Sequence, residues 1–124
     1  AWQDRITLAE RLDMPVICDL KTGATFPTRH PLLVSPPGFF LTPEAVAQVR
    51  NADVVLSLDW IDLGGTLRHC YGDDPIGAKV VQVSLDQHLH RGWNMEYFGL
   101  PPIDAYLLCD PDVAVPLLHE ASTA

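Results

Sequence analysis

The chain is poor in basic residues, and this shortage narrows the classes of partner that it can bind. Its 124 residues include eight Lys and Arg against 16 Asp and Glu, which gives a formal net charge of −8. An acidic chain without a Lys/Arg cluster repels the phosphates of nucleic acids and of anionic membrane surfaces. We therefore expect neither nucleic acid nor a membrane among its partners.

Long hydrophobic runs and an even set of cysteines are also missing. No apolar stretch approaches the roughly 20 residues that a membrane-spanning helix needs, and no signal peptide is visible. The three cysteines, Cys18, Cys70 and Cys109, lie in unrelated settings. Unpaired thiols are typical of a reducing compartment, so we expect three free cysteines and a cytoplasmic location.

No complete motif for phosphate binding, metal binding or nucleophilic catalysis occurs in the chain. Neither a Gly-x-Gly-x-x-Gly stretch nor a P-loop is present, and there is no Gly-x-Ser-x-Gly elbow. His88-Leu89-His90 offers two imidazoles but no third ligand, so we expect no metal site. Asp59 and Asp62 could form an acid/base pair, and His30 could act as a base. Capping and loop structure explain these three residues more simply.

Apolar runs separated by helical and turn signals are what the chain does contain. The stretch Ala52–Asp59 is a near-continuous Val/Leu run between acids, typical of a strand covered on both faces in a parallel sheet. Further short strands are predicted over residues 15–20, 32–34, 78–84 and 104–110. We expect Ala52–Asp59 to be the central strand of this sheet, and we call it the anchor strand.

Three helices are predicted around these strands. One covers Trp2–Leu12, and a second begins at the Thr42 N-cap and ends near Asn51. The third begins at Asp110-Pro111-Asp112, with a buried side predicted at Val113, Val115, Leu117 and Leu118. Residues 60–77 are predicted to be irregular and residues 85–102 to form a long connection. The alternation predicts an α/β fold with a parallel sheet and helices on both faces.

Ligands of such sheets bind beyond the carboxyl ends of the strands, which defines the candidate site residues. Gly38, Asp59, Gly64 and Gly65 occupy such positions. The Gly64-Gly65 pair after the anchor strand is the nearest approach to a phosphate-binding turn. A tight turn without any ligand explains the pair better than a phosphate site does.

Several short patterns follow one another in a fixed order along the chain. They are Leu8–Leu12 with Met14-Pro15-Val16, Gly23 with Phe26-Pro27 and His30-Pro31-Leu32, then Gly38, Ala52–Leu56, Asp104, Asp110-Pro111 and Leu117-Leu118. In this order they resemble the central domain of thiamine-diphosphate-dependent enzymes. The resemblance covers essentially the whole chain and is closest to the acetolactate synthase and benzoylformate decarboxylase branch.

The resemblance implies both a fold and a place in a larger enzyme. The fold would be a three-layer Rossmann-like domain of the DHS-like NAD/FAD-binding type, with a parallel sheet of about five or six strands. Residues 1–124 would be one central domain excised from a three-domain enzyme, with the N- and C-terminal catalytic domains of the same chain as its partners. The parent, a homodimer or homotetramer, would use thiamine diphosphate and Mg²⁺ to make or break a carbon–carbon bond next to a carbonyl, as 2-oxo acid decarboxylases do. The fragment itself would hold no cofactor and no catalytic residue.

At the candidate site the chain departs from the family pattern. Relatives that hold FAD or ADP in this domain carry further glycine after the "HP" segment and a Gly-x-Arg after the anchor strand. Here Phe39-Phe40-Leu41 stands at the first position, and Asp59 and Ile61 replace the glycine and the arginine. An aspartate would face an anionic diphosphate, and the arginine clamp is missing. The resemblance therefore implies a vestigial nucleotide site at Gly38, Asp59, Gly64 and Gly65.

Two alternatives stay open at this point. One is a nucleotide-binding module that retains FAD, ADP or NAD at the strand ends. The other is a small free-standing enzyme that uses Asp59, Asp62 or His30. The aromatic clusters at Phe39-Phe40 and Trp93…Phe98 also suggest contacts with other domains or self-association.

Overall fold

The chain combines helices with parallel strands, as the sequence predicts. The computed structural model describes residues 2–20, 25–38, 40–85 and 103–123. Their elements are α1 (Trp2–Leu12), α2 (Pro43–Asn51), β1 (Val54–Leu58), α3 (Leu63–Tyr71), β2 (Lys79–Val83), β3 (Ala105–Leu107) and α4 (Pro111–Thr123). The α/β class is confirmed. Within these residues no helix is both long and apolar enough to cross a membrane.

The chain divides into two compact units. One, the helical unit, comprises Ala1–Ala45 and Asp112–Ala124, and the other, the sheet unit, comprises Val46–Pro111. The helical unit contains α1 and nearly all of α4, whereas the sheet unit contains the three strands, α3 and most of α2.

In the sheet unit the strands pair in the order β1-β2-β3, and both pairs are parallel. The register places Leu58 beside Val83 and Val83 beside Leu107, so the three strands end in line. We call residues 58–62, 83–85 and 107–110 the carboxyl edge. The residues at which the strands begin, 50–54, 71–80 and 103–104, form the amino edge.

α3 connects β1 to β2 and supplies the crossover that a parallel pair requires. It lies in the stretch predicted to be irregular, so that prediction was wrong. Its buried residues Leu63, Leu67, Cys70 and Tyr71 recur at helical spacing. The helix was not predicted from this spacing because Gly64 and Gly65 lower the helix propensity of a short segment. The Tyr71 hydroxyl donates to the Val49 carbonyl oxygen at 3.0 Å, which ties α3 to α2.

In the helical unit, α1 and α4 run side by side in the same direction. Arg5 donates to Asp112 at the start of α4 at 3.1 Å, and Arg11 donates to the Ser122 carbonyl near its end at 3.0 Å. On the predicted inner side of α4 only Val115 is buried, together with Ala114. Val113 and Leu117 are exposed, so that part of the prediction was wrong. Leu118 is half-buried.

The two predicted N-terminal strands make only one ladder contact. Val16 and Leu33 form an isolated parallel bridge, in which Val16 N donates to Leu32 O at 2.8 Å and Val34 N donates to Val16 O at 3.0 Å. Prolines at 15, 31, 36 and 37 remove backbone donors on either side, which limits the ladder to this bridge. The described residues therefore contain three strands, and a sheet of about five or six strands is not confirmed.

The remaining predictions divide between described and undescribed residues. Most of the connection predicted over 85–102, including His88, His90 and the Trp93…Phe98 cluster, lies outside the described residues, as does Phe39. Phe40 is 82% exposed. All three cysteines are free, with Cys70 buried and the other two half-buried. The prediction of unpaired thiols is therefore confirmed.

Candidate ligand site at the carboxyl edge of the sheet

The turn that follows β1 begins with an aspartate in the left-handed region of the backbone. Asp59 has φ 59°, a conformation that glycine adopts freely and that Asp and Asn tolerate better than other residues. Its N–H donates to Val83 O at 2.8 Å, and its carboxylate accepts a 2.7 Å hydrogen bond from the Ser84 hydroxyl. Ser84 N in turn donates to Leu107 O at 3.1 Å. These bonds link the ends of all three strands.

The same turn ends on the N-cap of α3. Asp62 is buried, has φ 56° and ψ 54°, and accepts a hydrogen bond from Gly65 N at 3.2 Å. A Cβ built at Gly65 would overlap this carboxylate, since it would lie 2.8 Å from Asp62 Cγ. Glycine at position 65 is therefore explained by the helix cap. Gly64 lies buried in the first turn of α3.

Trp60 completes the turn with two further hydrogen bonds. Its indole Nε1 donates to Thr66 Oγ1 at 2.8 Å, and its backbone N–H donates to Ser57 Oγ at 3.3 Å. A phosphate-binding turn points free backbone N–H groups at its ligand. In this turn the N–H groups of Asp59, Trp60 and Gly65 each have a partner within the chain.

Charge is distributed unevenly between the two edges of the sheet. The carboxyl edge carries the carboxylates of Asp59, Asp62 and Asp110, and no basic residue occurs in its described segments. The described basic residues of the sheet unit are all near the amino edge, where Arg50 pairs with Asp74 at 3.0 Å, Arg68 with Asp73 at 3.9 Å and Lys79 with Asp104 at 3.9 Å. Among the described residues of this edge, an anion would therefore meet only like charge.

The fourth predicted site residue, Gly38, belongs to the helical unit. It is exposed, and a Cβ added there would come no closer than 3.4 Å, to the Phe40 carbonyl oxygen. This is an ordinary contact, so packing does not require glycine at this position. The structure places Asp59 in the turn after β1 and Gly64 and Gly65 in the first turn of α3, which follows it. That these four residues are a vestigial nucleotide site stays a prediction.

His30 also lies in the helical unit, where it has structural partners. Its Nε2 lies 2.9 Å from Glu10 Oε1, and its Nδ1 accepts a hydrogen bond from Leu32 N at 3.1 Å. Its ring packs edge-on against Phe26 at 5.0 Å. These contacts fasten the 26–34 loop to α1.

Comparison with known proteins identifies the family. Residues 1–91 match the model of the thiamine pyrophosphate enzyme central domain. The chain belongs to this family. The closing strand and helix lie beyond the matched residues, so their correspondence to the end of the domain stays a prediction.

Curated relatives of this central domain are sulfoacetaldehyde acetyltransferases. The probable enzyme of Rhizobium meliloti is 37% identical over 89 residues, which are 69% of this chain and 15% of the relative. The enzyme of Roseovarius nubinhibens is 40% identical over 81 residues, 63% of this chain and 13% of the relative. The chain thus spans about one seventh of the relatives' length. No solved structure matches it.

The residues at the carboxyl edge do not fit a diphosphate group. Asp59 stands at the glycine position of the family pattern and has a left-handed backbone, which glycine adopts freely, but it adds a negative charge. Ile61 supplies no counter-charge in place of the arginine. Within the described ranges, no group of three or more His, Cys, Asp or Glu side chains is placed to hold a metal ion.

Sequence reasoning missed the residue that holds Asp59 in place. Ser84 is 1% exposed and binds the Asp59 carboxylate across the ends of two strands. The signal available was a hydroxyl directly after a Val-rich strand. Its meaning depends on the register between β1 and β2, which a single sequence does not supply.

Proposed function

We propose that this chain is the non-catalytic central domain of a longer enzyme that uses thiamine diphosphate and Mg²⁺ to make or break a carbon–carbon bond next to a carbonyl. The observation that carries the proposal is the match of residues 1–91 to the central-domain family. Its relatives are about seven times longer than the matched segment, which leaves room for catalytic domains elsewhere in the polypeptide. The same proposal includes a three-layer fold whose sheet has about five or six strands. It also includes a cytoplasmic location and an oligomeric parent enzyme.

For the parent's reaction, two chemistries follow from different observations. The relatives' names favour acetyl transfer with sulfoacetaldehyde. The ordered sequence patterns favour an acetolactate synthase or a 2-oxo acid decarboxylase. In every case the cofactor would be bound by the flanking catalytic domains, and this domain would act as the scaffold between them.

A direct test is to express the longer protein and follow the consumption of sulfoacetaldehyde and of pyruvate, each with and without thiamine diphosphate and Mg²⁺. We expect cofactor-dependent consumption of at least one of them. The 124-residue chain at the same concentration is the control and should consume neither. Turnover by the chain alone would contradict a scaffold role and favour a free-standing enzyme.

The alternative of a nucleotide-binding module is tested on the chain itself. The carboxylates at the carboxyl edge argue against it, as do the hydrogen bonds that the N–H groups of Asp59, Trp60 and Gly65 make within the chain. Calorimetric titration with FAD, ADP, NAD or thiamine diphosphate plus Mg²⁺ should therefore give no saturable heat at high micromolar ligand. The matched variant combines Asp59→Gly with Ile61→Arg, which restores the family pattern. Weak ADP binding by this variant alone would support a lapsed site, whereas saturable ADP binding by the unaltered chain would reject it.

A further inference from the structure

The carboxyl edge carries a cluster of exposed apolar side chains as well as acids. Leu85 after β2 is 64% exposed, Leu108 after β3 is 53% exposed, and Leu107 beside it is 38% exposed. The register of β2 and β3 puts these three leucines at one corner of the sheet. Ile61, after β1, is also exposed. Single exposed leucines are ordinary, but a cluster at one corner indicates a contact surface.

Charge narrows the kind of surface that could cover this corner. The exposed carboxylates of Asp59 and Asp110 lie on the same edge as the leucines, and its described segments contain no basic residue. A complementary surface would be apolar at its centre with Lys or Arg at its rim, as is common in protein–protein contacts. The Asp59–Ser84 hydrogen bond ties the end of β1 to the end of β2 at this edge.

We propose that the carboxyl edge docks a flanking domain of the same polypeptide through Leu85, Leu107 and Leu108, with basic residues of that domain facing Asp59 and Asp110. This inference rests on the proposed function. The match to a central domain supplies the occupant, because such a domain has polypeptide on both sides, and the relatives are about seven times longer than the matched segment. An edge that binds nucleotides in other α/β sheets would here serve as a domain contact.

The test compares hydrogen exchange in the 124-residue chain and in the longer protein. We expect the amides of residues 107–110 and 58–62 to exchange at least about tenfold more slowly in the longer protein. The double variant Leu85→Asp with Leu108→Asp should remove this protection and lower the thermal midpoint of the longer protein. In the chain alone, where both side chains are exposed, the same variant should change the midpoint by only a small fraction of that shift.

Val54→Asp is the matched control, because Val54 is 57% exposed but lies at the amino edge. It should shift the midpoints of the chain and of the longer protein equally. Raised salt should weaken the protection at the carboxyl edge if basic residues form the rim.

Each other outcome overturns the docking inference in a recognisable way. Equal exchange in the chain and the longer protein rejects docking and leaves the proposed function intact. Protection of the chain that rises with its own concentration assigns the edge to a second copy, and protection by ADP or FAD assigns it to a nucleotide. A reading frame that adds no further domain rejects the proposed function and the docking inference together.

Discussion

The amino edge of the sheet carries both signs of charge, whereas the carboxyl edge carries carboxylates and leucines. At the amino edge Arg50, Arg68 and Lys79 each lie within 4 Å of an aspartate. At the carboxyl edge the Asp59 carboxylate instead binds the Ser84 hydroxyl, and Asp62 caps α3. The same residue type is neutralised by a cation at one edge and bound by neutral donors at the other.

This difference distinguishes the contacts that stabilise the sheet from the side chains that are exposed at its carboxyl edge. The ion pairs of the amino edge are at the surface, where such pairs contribute little to stability. The amino-edge aspartate that we expect to contribute most to the free energy of unfolding is Asp104, because its Oδ2 accepts a 2.7 Å hydrogen bond from the N–H of the buried Val80. Asp104 thus takes the place of a strand carbonyl at the start of β2. The carboxyl edge has an analogous bond but leaves its leucines uncovered, which fits an edge that receives another surface.

The largest effect should follow the loss of the Asp104 carboxylate. Asp104→Ala leaves the Val80 N–H buried without an acceptor, and we expect the free energy of unfolding to fall by about 2 kcal/mol. Asp104→Asn keeps an acceptor oxygen and should lose far less. Urea unfolding of the two variants measures the difference.

Lys79→Ala separates the hydrogen bond from the ion pair. The Lys79–Asp104 pair is long and exposed, so this variant should change the free energy of unfolding by less than about 0.5 kcal/mol. If Lys79→Ala is as costly as Asp104→Ala, the ion pair holds the amino edge and the distinction between the two edges is wrong.

The next largest loss of stability is expected at Gly65, beside the carboxyl edge, and Gly77 at the amino edge serves for comparison. Gly65→Ala displaces the Asp62 carboxylate from its capping position, and we expect a loss of about 1 kcal/mol in the free energy of unfolding. Gly77→Ala at the amino edge is the control, because a Cβ there meets nothing within 4 Å and φ is not positive. It should be neutral or slightly stabilising.

A double variant tests the mechanism of the Gly65 effect. In an Asp62→Ala background the cap is already lost, so Gly65→Ala should become neutral or stabilising, as alanine is in a helix. A loss that is as large in this background as in the unaltered chain would contradict the clash with Asp62. Urea unfolding of the unaltered chain, the two single variants and the double variant completes the double-mutant cycle.

The elements found from sequence are those whose local signals agree with their surroundings. α2 begins at Pro43 after Thr42, whose hydroxyl accepts from Ala45 N at 3.2 Å, as the capping pattern indicates. β1 and β2 coincide with the Val-rich runs. β1 is less covered than predicted, since Val54 is exposed and only Ser57 is buried. A continuous apolar run did not distinguish a central strand from one at the end of the described sheet.

The features missed from sequence depend on spatial neighbours. α3 combines a favourable apolar spacing with two glycines, and the cap formed by Asp62 outweighs their low propensity. The buried side of α4 depends on how that helix lies against α1, which its own sequence leaves open. At the candidate site the glycine position of Asp59 was recognised from the family pattern. Its bond to Ser84 and the division of charge between the edges required the strand register.

A smaller effect, on the pH dependence of stability, is expected from Cys70, which lies near the amino edge. Cys70 is buried in the last turn of α3, and its burial raises its pKa above the ordinary value of 9.0, although nearby Arg50 lowers it in part. Because the folded state then holds this proton more tightly than the unfolded chain, stability should fall as the pH rises through 9.0. Cys109 at the carboxyl edge is half-buried.

The measurement is the free energy of unfolding at pH 7.5 and pH 10 for the unaltered chain and for Cys70→Ala. The variant should lose less stability over this interval than the unaltered chain does. At neutral pH a thiol reagent should modify Cys109 before Cys70. Equal pH dependence of the unaltered chain and Cys70→Ala would show that burial of Cys70 has no energetic consequence.

The smallest effect is expected where charge is removed from the carboxyl edge and the hydrogen bond is kept. Asp59→Asn retains an oxygen for the Ser84 hydroxyl and tolerates φ 59°, so the free energy of unfolding should change by less than about 0.5 kcal/mol. Asp59→Ala loses the acceptor and is strained in the left-handed region, so it should cost about 1 kcal/mol or more. If Asn and Ala at position 59 prove equally costly, the negative charge itself stabilises this edge. The carboxyl edge would then resemble the amino edge, where aspartates pair with cations. The contrast between the two edges, on which the proposed docking surface rests, would fail.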